Sequence, residues 1–173
     1  FGSGTLVLTE ANTFSGDTKL EEGTLRLGNS AALPNRSDIS IGTTATLDLG
    51  GNSMRFDEMT GGGSITNSGA AAVTLTIGAD DPFGGGFGPG NDASYSGDIG
   101  ESSGALSLTK VGSNMITLTG SSYTYTGDTT VSAGSLSFSG GNITAFSSGK
   151  INLNNFTNMS FNNTSALSIA GDI

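Results

Sequence analysis

The stretch from Ser3 to Gly28 reads S-G-T-L-V-L-T-E-A-N-T-F-S-G-D-T-K-L-E-E-G-T-L-R-L-G, and much of it returns near the other end of the chain. From Ser113 to Ser139 the sequence is S-N-M-I-T-L-T-G-S-S-Y-T-Y-T-G-D-T-T-V-S-A-G-S-L-S-F-S. Gly16-Asp17-Thr18 aligns with Gly127-Asp128-Thr129, and a shorter copy, Tyr95-Ser96-Gly97-Asp98, lies between them. Internal repeats of this kind predict a repeat architecture.

Apolar residues occur mainly in pairs with one polar residue between them. This alternation is typical of a half-buried β-strand, and no stretch of a dozen residues has helical periodicity. The sequence therefore predicts an all-β fold with short strands of about three to five residues. The pairs are Leu6/Leu8, Leu25/Leu27, Ile39/Ile41, Leu47/Leu49, Met54/Phe56, Val73/Leu75/Ile77, Leu106/Leu108, Ile116/Leu118, Tyr123/Tyr125, Leu136/Phe138, Ile151/Leu153, Met159/Phe161 and Leu167/Ile169.

Many short strands are compatible with an antiparallel sandwich or barrel, or with a parallel β-solenoid. The sequence contains no Asn-Gly or Asp-Gly, the strongest signals for a tight hairpin. The repeated phrases favour a solenoid, in which we expect like side chains to stack into ladders. The strand spacing predicts about seven or eight coils, with the apolar pairs pointing into a narrow core.

The composition narrows the possible functions. Lys and Arg total 6 and the net charge is −9, so the chain lacks the cations on which nucleic-acid affinity depends. Cysteine is absent, which excludes disulfides, and no apolar run reaches the about 20 residues of a membrane-spanning helix. We expect no binding to nucleic acid and no membrane insertion.

We expect one solenoid domain over residues 1–173. A Gly- and Pro-rich segment at about 79–93 has no strand pattern and predicts a surface loop, and Ala31-Ala32-Leu33-Pro34-Asn35 predicts a smaller one. Residues 141–173 keep the alternation but are rich in Asn. Because the chain starts at Phe1 rather than Met, we expect it to be a processed or excised segment.

The stretch from Gly4 to Gly28 resembles the autotransporter-associated β-strand repeat, also named the passenger-associated transport repeat, and the similarity extends over about residues 2 to 140. The resemblance implies a right-handed parallel β-helix, secreted by a bacterium or displayed on its surface. The family has no catalytic residues to transfer to this chain. An extracellular or cell-surface location is therefore expected.

The chain has no His or Cys, so Ser-His-Asp and Cys-His catalysis and the usual zinc sites are impossible. The remaining chemical candidates are the adjacent carboxylates Glu21-Glu22, Asp57-Glu58 and Asp80-Asp81. Neighbouring residues on a strand point to opposite faces, so the strand pairs suit shared chemistry poorly. We predict no enzyme activity and no cofactor.

A cation site is a further hypothesis. Asp80, Asp81 and Asp92 lie in or beside the predicted 79–93 loop, where a metal could bind, although a solvated acidic loop is the simpler interpretation. Asp17, Asp98 and Asp128 each follow a glycine, which indicates a corner role in which a short carboxylate accepts local backbone N–H bonds. A ladder of these aspartates that binds cations is the alternative.

The ends of a solenoid expose unpaired strand edges unless a capping segment covers them. No amphipathic helix is present to cap either end, so we expect the ends to be interfaces, with Phe1, Leu6, Leu8, Leu167, Ile169 and Ile173 as candidate contacts. One hypothesis is a structural protein that stacks head to tail with itself into an extracellular filament or surface layer. The alternative is an adhesin or passenger stalk that contacts a host or matrix surface, and a polysaccharide-acting protein is a third.

Overall fold

The computed structural model describes residues 2–78, 92–143, 148–155 and 157–162, and the chain is all β within them. The strands alternate buried and half-buried side chains, as the apolar pairs predict. Their bounds are Thr5–Leu8 (β1), Thr18–Leu27 (β2), Ser37–Asp48 (β3), Met54–Gly61 (β4), Ser64–Thr66 (β5), Val73–Ile77 (β6), Ala93–Tyr95 (β7), Leu106–Lys110 (β8), Met115–Leu118 (β9), Ser122–Tyr123 (β10), Thr129–Val131 (β11), Ser135–Phe138 (β12), Asn142–Ile143 (β13), Ile151–Leu153 (β14) and Asn158–Phe161 (β15).

Every strand pairing in the described residues is parallel, which confirms the solenoid and excludes the sandwich and the barrel. The pairings form three faces. Face 1 contains β1, β5, β10, β13 and the second halves of β2 and β3. Face 2 contains β7, β9, β12, β15, the first halves of β2 and β3 and the second half of β4. Face 3 contains the first half of β4 with β6, β8, β11 and β14.

Each face carries an inward column of side chains in register. The column on face 1 is Leu6, Leu25, Leu47, Ile65, Ile99, Tyr123 and Ile143, which gives seven levels and confirms the predicted coil number. On face 2, Phe138 stacks on Phe161 with ring centroids 5.7 Å apart, and Tyr123 meets Phe138 edge to face at 5.2 Å. Aromatic contacts of this geometry add to the stabilisation that apolar burial provides.

Three strands are longer than the predicted three to five residues. β2 has 10 residues, β3 has 12 and β4 has 8, because each continues around a corner from one face to the next. Register shifts occur at these corners, between Leu20 and Glu22 and between Ser37 and Ile39. Because the alternation of apolar and polar residues is broken at each bend, the sequence predicts two separate strands where the structure has one.

The repeated phrase does not stack on itself, contrary to the expectation of like-on-like ladders. Thr18 lies on face 2, where it pairs with Ile39, whereas the equivalent Thr129 lies on face 3, where it pairs with Leu108. The two copies are therefore displaced by one face around the solenoid. The repeat encodes one coil, but that coil can begin on more than one face.

The small loop is confirmed, since residues 28–36 form no strand between β2 and β3 while Ala32 and Leu33 are buried. The loop predicted at about 79–93 lies outside the described residues except for Asp92 and Ala93, and Ala93 already begins β7. The described part of the Asn-rich tail contains β13, β14 and β15, which continue the solenoid.

Candidate functional surfaces

Two of the three corner aspartates accept backbone N–H groups, although the sequence predicts donors in the local turn. Asp98 Oδ1 accepts the N–H groups of Ser121 and Ser122, both at 2.8 Å, and Asp128 Oδ1 accepts the N–H of Lys150 at 2.8 Å. The donors belong to the following coil rather than to the local turn. These carboxylates therefore link consecutive coils, and no reaction is needed to explain them.

Asp48 makes a similar link at a more buried corner. Its Oδ1 accepts the N–H groups of Gly50 and Ser68 at 3.0 Å, and its Oδ2 accepts the Ser68 hydroxyl at 2.6 Å. Burial alone would raise the pKa of Asp48, but these hydrogen bonds and the nearby Arg26 lower it overall. The carboxylate is thus held in its ionised form for a structural role.

Of the three candidate metal ligands, Asp92 alone lies within the described residues. Asp80 and Asp81 lie outside them, and Asp92 is an exposed residue whose Oδ1 accepts the Met115 N–H at 2.9 Å. Asp92 therefore links two coils in the same way as Asp98. Within the described ranges, no group of three or more His, Cys, Asp or Glu side chains could hold a metal ion.

The two adjacent carboxylate pairs within the described residues, Glu21-Glu22 and Asp57-Glu58, occupy corners. Glu21 pairs with Lys19 at 2.9 Å, and this contact lowers the pKa of the exposed Glu21. Asp57 lies 3.8 Å from Arg36 Nε and 3.7 Å from Arg55 Nε. Both members of each pair are at least partly exposed at a bend, so the strict alternation assumed from the sequence does not apply there.

Three acidic side chains lie close together at the corner between faces 3 and 2. Asp17, Asp38 and Glu58 line one shallow hollow of about 280 Å³. Burial, followed by the charge of Asp17, raises the pKa of Asp38, and burial, followed by the charges of Asp38 and Asp17, raises the pKa of Glu58. The cluster is a point of electrostatic repulsion in the folded state.

The structure reveals a buried lysine that sequence reasoning missed. Lys110 is fully buried in the face 3 column between Ile77 and Val131. Its ammonium group donates to the carbonyl oxygens of Val111 at 2.6 Å and Gly112 at 2.8 Å, and contacts Asn114 Oδ1 and Ala133 O at 3.1 and 3.3 Å. The alternation Leu106, Leu108, Lys110 was the signal that could have placed it inside.

Burial lowers the pKa of Lys110 to about 8, although the charge of Asp92 acts in the opposite direction. The nitrogen is surrounded by acceptors and the side chain is inaccessible to solvent. Lys110 is therefore placed to close the turn between β8 and β9. Its ammonium group contacts Val111, Gly112 and Asn114 of that turn and Ala133 of the next coil.

A groove of about 470 Å³ lies between the Ser30–Asn35 loop and the outer surface of β4 and β6. Polar groups of Asn12, Asn35, Ser53, Thr74 and Thr76 line it together with Arg55 and apolar residues of the loop. We refer to this depression as the Arg55 groove. No sequence motif identified it, because its lining comes from four separate segments of the chain.

The candidate interface residues can be compared with the structure only in part. Leu6 is 61% exposed on β1, and Leu8 is partly buried against the core. Leu6, Leu8, Leu20 and Phe14 help to line a hollow of about 630 Å³ at this end of the solenoid. Phe1, Leu167, Ile169 and Ile173 lie outside the described residues.

Similarity to known proteins agrees with this architecture. Residues 1–27 and 108–142 match the family model of the passenger-associated-transport-repeat. The adhesin BmaC autotransporter of Brucella suis biovar 1 (strain 1330) is 36% identical over 137 residues, which are 78% of this chain and 4% of that relative. No solved structure matches the chain.

The described residues contain no helix long and apolar enough to cross a membrane. The two matched segments coincide with the two copies of the repeated phrase, and both fold as parallel coils. The chain is therefore a member of the passenger-associated-transport-repeat family.

Proposed function

We propose that this chain is a stalk segment of a surface-displayed bacterial adhesin, in which it acts by extension and contact rather than by catalysis. The observation that carries this proposal is the set of continuous parallel columns, which run through seven levels without a break in the described residues. Such a rod holds whatever is attached to it away from the cell. The similarity to an autotransporter adhesin supports the same role.

Surface labelling of the producing bacterium tests the proposal. Antibodies raised against the folded chain should label intact cells, and external protease should remove the label. A deletion of the chain from its gene should reduce attachment to host cells or matrix. Labelling that appears only after lysis would contradict the proposal, and so would unchanged attachment by cells that had lost the chain.

End-to-end association with a second copy is the other candidate function, favoured by exposed apolar side chains on β1 and in the segment that follows it. Leu6 is 61% exposed and Phe14 is 45% exposed, and an unpaired strand edge is a template for pairing with another strand. Electron microscopy and light scattering over a range of concentrations test this. Filaments that disappear in Leu6→Lys support it, whereas a compact monomer at every concentration overturns it.

A further inference from the structure

Acceptor triplets for N-linked sugars are concentrated in the last part of the chain. The triplet Asn-x-Ser/Thr, in which x is not Pro, is the sequence at which a sugar can be attached to an Asn side chain. Five of the six triplets begin between positions 142 and 163, although Ser and Thr occur throughout the chain. A sequence motif alone does not select among them, so their positions in the fold decide. The triplets begin at Asn35, Asn142, Asn155, Asn158, Asn162 and Asn163.

Asn155 belongs to the turn that joins β14 to β15. The turn is closed by the Thr157 N–H, which donates to Asn154 O at 3.2 Å. Four residues, 154–157, lie between these strands, whereas three residues, 132–134, join β11 to β12 at the equivalent corner of the preceding coil. Asn154 and Asn155 are exposed, while all three residues of the shorter turn are half-buried. The longer turn therefore presents Asn155 to solvent.

The hydroxyl group that the triplet requires lies in the same turn. Thr157 Oγ1 donates to Asn154 O at 2.6 Å, in a contact that is exposed to solvent. Its oxygen keeps lone pairs with which it can accept a hydrogen bond from an enzyme. The Asn155 side chain and the Thr157 hydroxyl are thus both reachable from outside the rod.

Two triplets lie wholly within the described residues, and both are part of strands. Asn158 and Ser160 are on the exposed side of β15, as positions i and i+2 of a strand must be, but β15 is paired with β12 along its whole length. Ser37, the third residue of the Asn35 triplet, begins β3, and its hydroxyl donates to Pro34 O at 3.0 Å. A transferase has to surround the backbone of its acceptor triplet, and strand pairing prevents this at both places.

From this geometry we infer that Asn155 is the acceptor of an N-linked sugar, which a glycosyltransferase adds to the folded chain. The donor is a sugar activated as a diphosphate ester. Asn155 Nδ2 forms a bond to the anomeric carbon of the sugar and loses one proton to a base of the enzyme. The bond from that carbon to the phosphate oxygen breaks, and the diphosphate leaves with its electron pair.

A sugar at this corner adds bulk to the surface without opening the parallel columns, because Asn155 lies outside the strands. The inference goes beyond the proposed stalk function and does not depend on it. Attachment of a sugar requires only the folded turn, the triplet and a transferase in the producing bacterium.

Mass spectrometry of the protein isolated from the producing bacterium tests the inference. The peptide that contains Asn155 should be heavier by the mass of one or more sugar residues, and electron-transfer fragmentation should place the sugar on Asn155. The same chain made in a host that lacks such a transferase should have its unmodified mass. Asn35 and Asn158 should be unmodified in both samples.

Variants expressed in the producing bacterium separate the triplet from its surroundings. Asn155→Gln and Thr157→Ala should each abolish the modification, whereas Thr157→Ser should retain it because the hydroxyl is kept. Asn154→Gln is the matched control, because Asn154 is exposed in the same turn but begins no triplet. It should leave the modification of Asn155 unchanged. Circular dichroism establishes that each variant is folded.

An unmodified Asn155 in protein from the producing bacterium would overturn the inference. Equal modification of Asn35, Asn155 and Asn158 would also overturn it, because the triplet alone and not the folded turn would then select the site. A sugar that persists in Asn155→Gln on Ser or Thr would replace it with O-linked attachment. Surface labelling of cells does not depend on Asn155, so the stalk proposal survives any of these outcomes. If labelling fails but the sugar is found, only the stalk proposal is lost.

Discussion

Lys110 illustrates how a single residue can have a role that its type does not suggest. A lysine is rarely fully buried without a paired carboxylate, yet here the ammonium is surrounded by oxygens of Val111, Gly112, Asn114 and Ala133. Hydrogen bonds compensate part of the desolvation cost, and the remaining cost appears as a lowered pKa.

This cost makes stability depend on pH. The folded-state pKa of Lys110 is about 8, below the ordinary value of 10.5. Below pH 8 the group is charged in both states and the folded state carries the full penalty. As the pH rises further the folded state loses the proton first, so the free energy of unfolding should increase by about 2 kcal/mol between pH 7 and 9.5. Urea unfolding should show this increase in the parent and not in Lys110→Met.

Lys150→Met is the matched control, because Lys150 is exposed on the same solenoid. It should retain the increase of stability with pH. A parent protein whose stability is flat or falling between pH 7 and 9.5 would show that the ammonium is not penalised by its surroundings.

The aspartates of the repeated phrase should contribute differently to the free energy of unfolding, although the sequences around them match. Asp98→Ala removes hydrogen bonds to Ser121 and Ser122 of the next coil and should lower the free energy of unfolding by about 1–2 kcal/mol. Asp17→Asn should instead stabilise slightly at pH 7, because it removes a charge that raises the pKa of Asp38 and Glu58.

The stabilisation expected from Asp17→Asn should depend on pH. The raised pKa values mean that ionising Asp38 and Glu58 costs stability above their folded-state pKa, and this cost disappears as the pH falls and both states become protonated. The advantage of Asp17→Asn in urea unfolding should therefore shrink at acidic pH. An equal loss of stability in both variants at pH 7 would show that the two aspartates have the same role.

At the scale of elements, the two repeat copies share the conformation of a corner although they lie on different faces. Gly23 and Gly134 occupy equivalent positions of the two copies, with φ of 79° and 67°. A Cβ at Gly23 would lie 2.6 Å from Gly2 O, and one at Gly134 would lie 2.4 Å from Asn114 O. The same corner conformation thus serves two different faces.

Substitution of these glycines should be costly in both copies. Gly23→Ala and Gly134→Ala should each destabilise by about 2 kcal/mol or more, since both the left-handed backbone and the nearby carbonyl oppose a side chain. Gly16→Ala is the matched control, because nothing lies within 4 Å of a Cβ there. Thermal melts of the three variants would contradict the interpretation if Gly16→Ala were as unstable as Gly134→Ala.

The sequence predicted the element types well and their boundaries less well. Alternation placed Leu47, Leu75 and Leu118 in the core because period two is a local property of a strand. It could not show that β3 bends around a corner, since the bend depends on pairing with β2 and β4. The Arg55 groove was unpredictable for a similar reason, because its lining residues become neighbours only when coils stack.

At the scale of the whole molecule, burial differs between levels of one column. Leu47 is fully buried within the face 1 column, while Leu6 in the same column is 61% exposed. Leu47→Ala should therefore cost about 3 kcal/mol, and Leu6→Ala less than about 1 kcal/mol, in the free energy of unfolding. Urea denaturation measures both, and equal losses would mean that Leu6 is covered in solution, as end-to-end association requires.

The displacement of the two repeat copies by one face has a genetic consequence. Gly23 and Gly134 form the same corner on two different sides of the rod. A gene segment that codes for one side of the rod is therefore interchangeable with a segment that codes for the neighbouring side. A gene of this kind should tolerate in-frame gains and losses of one third of a turn as well as of whole turns. Strains of the same species would then differ in the length of this region in steps smaller than one repeat, and each would still fold.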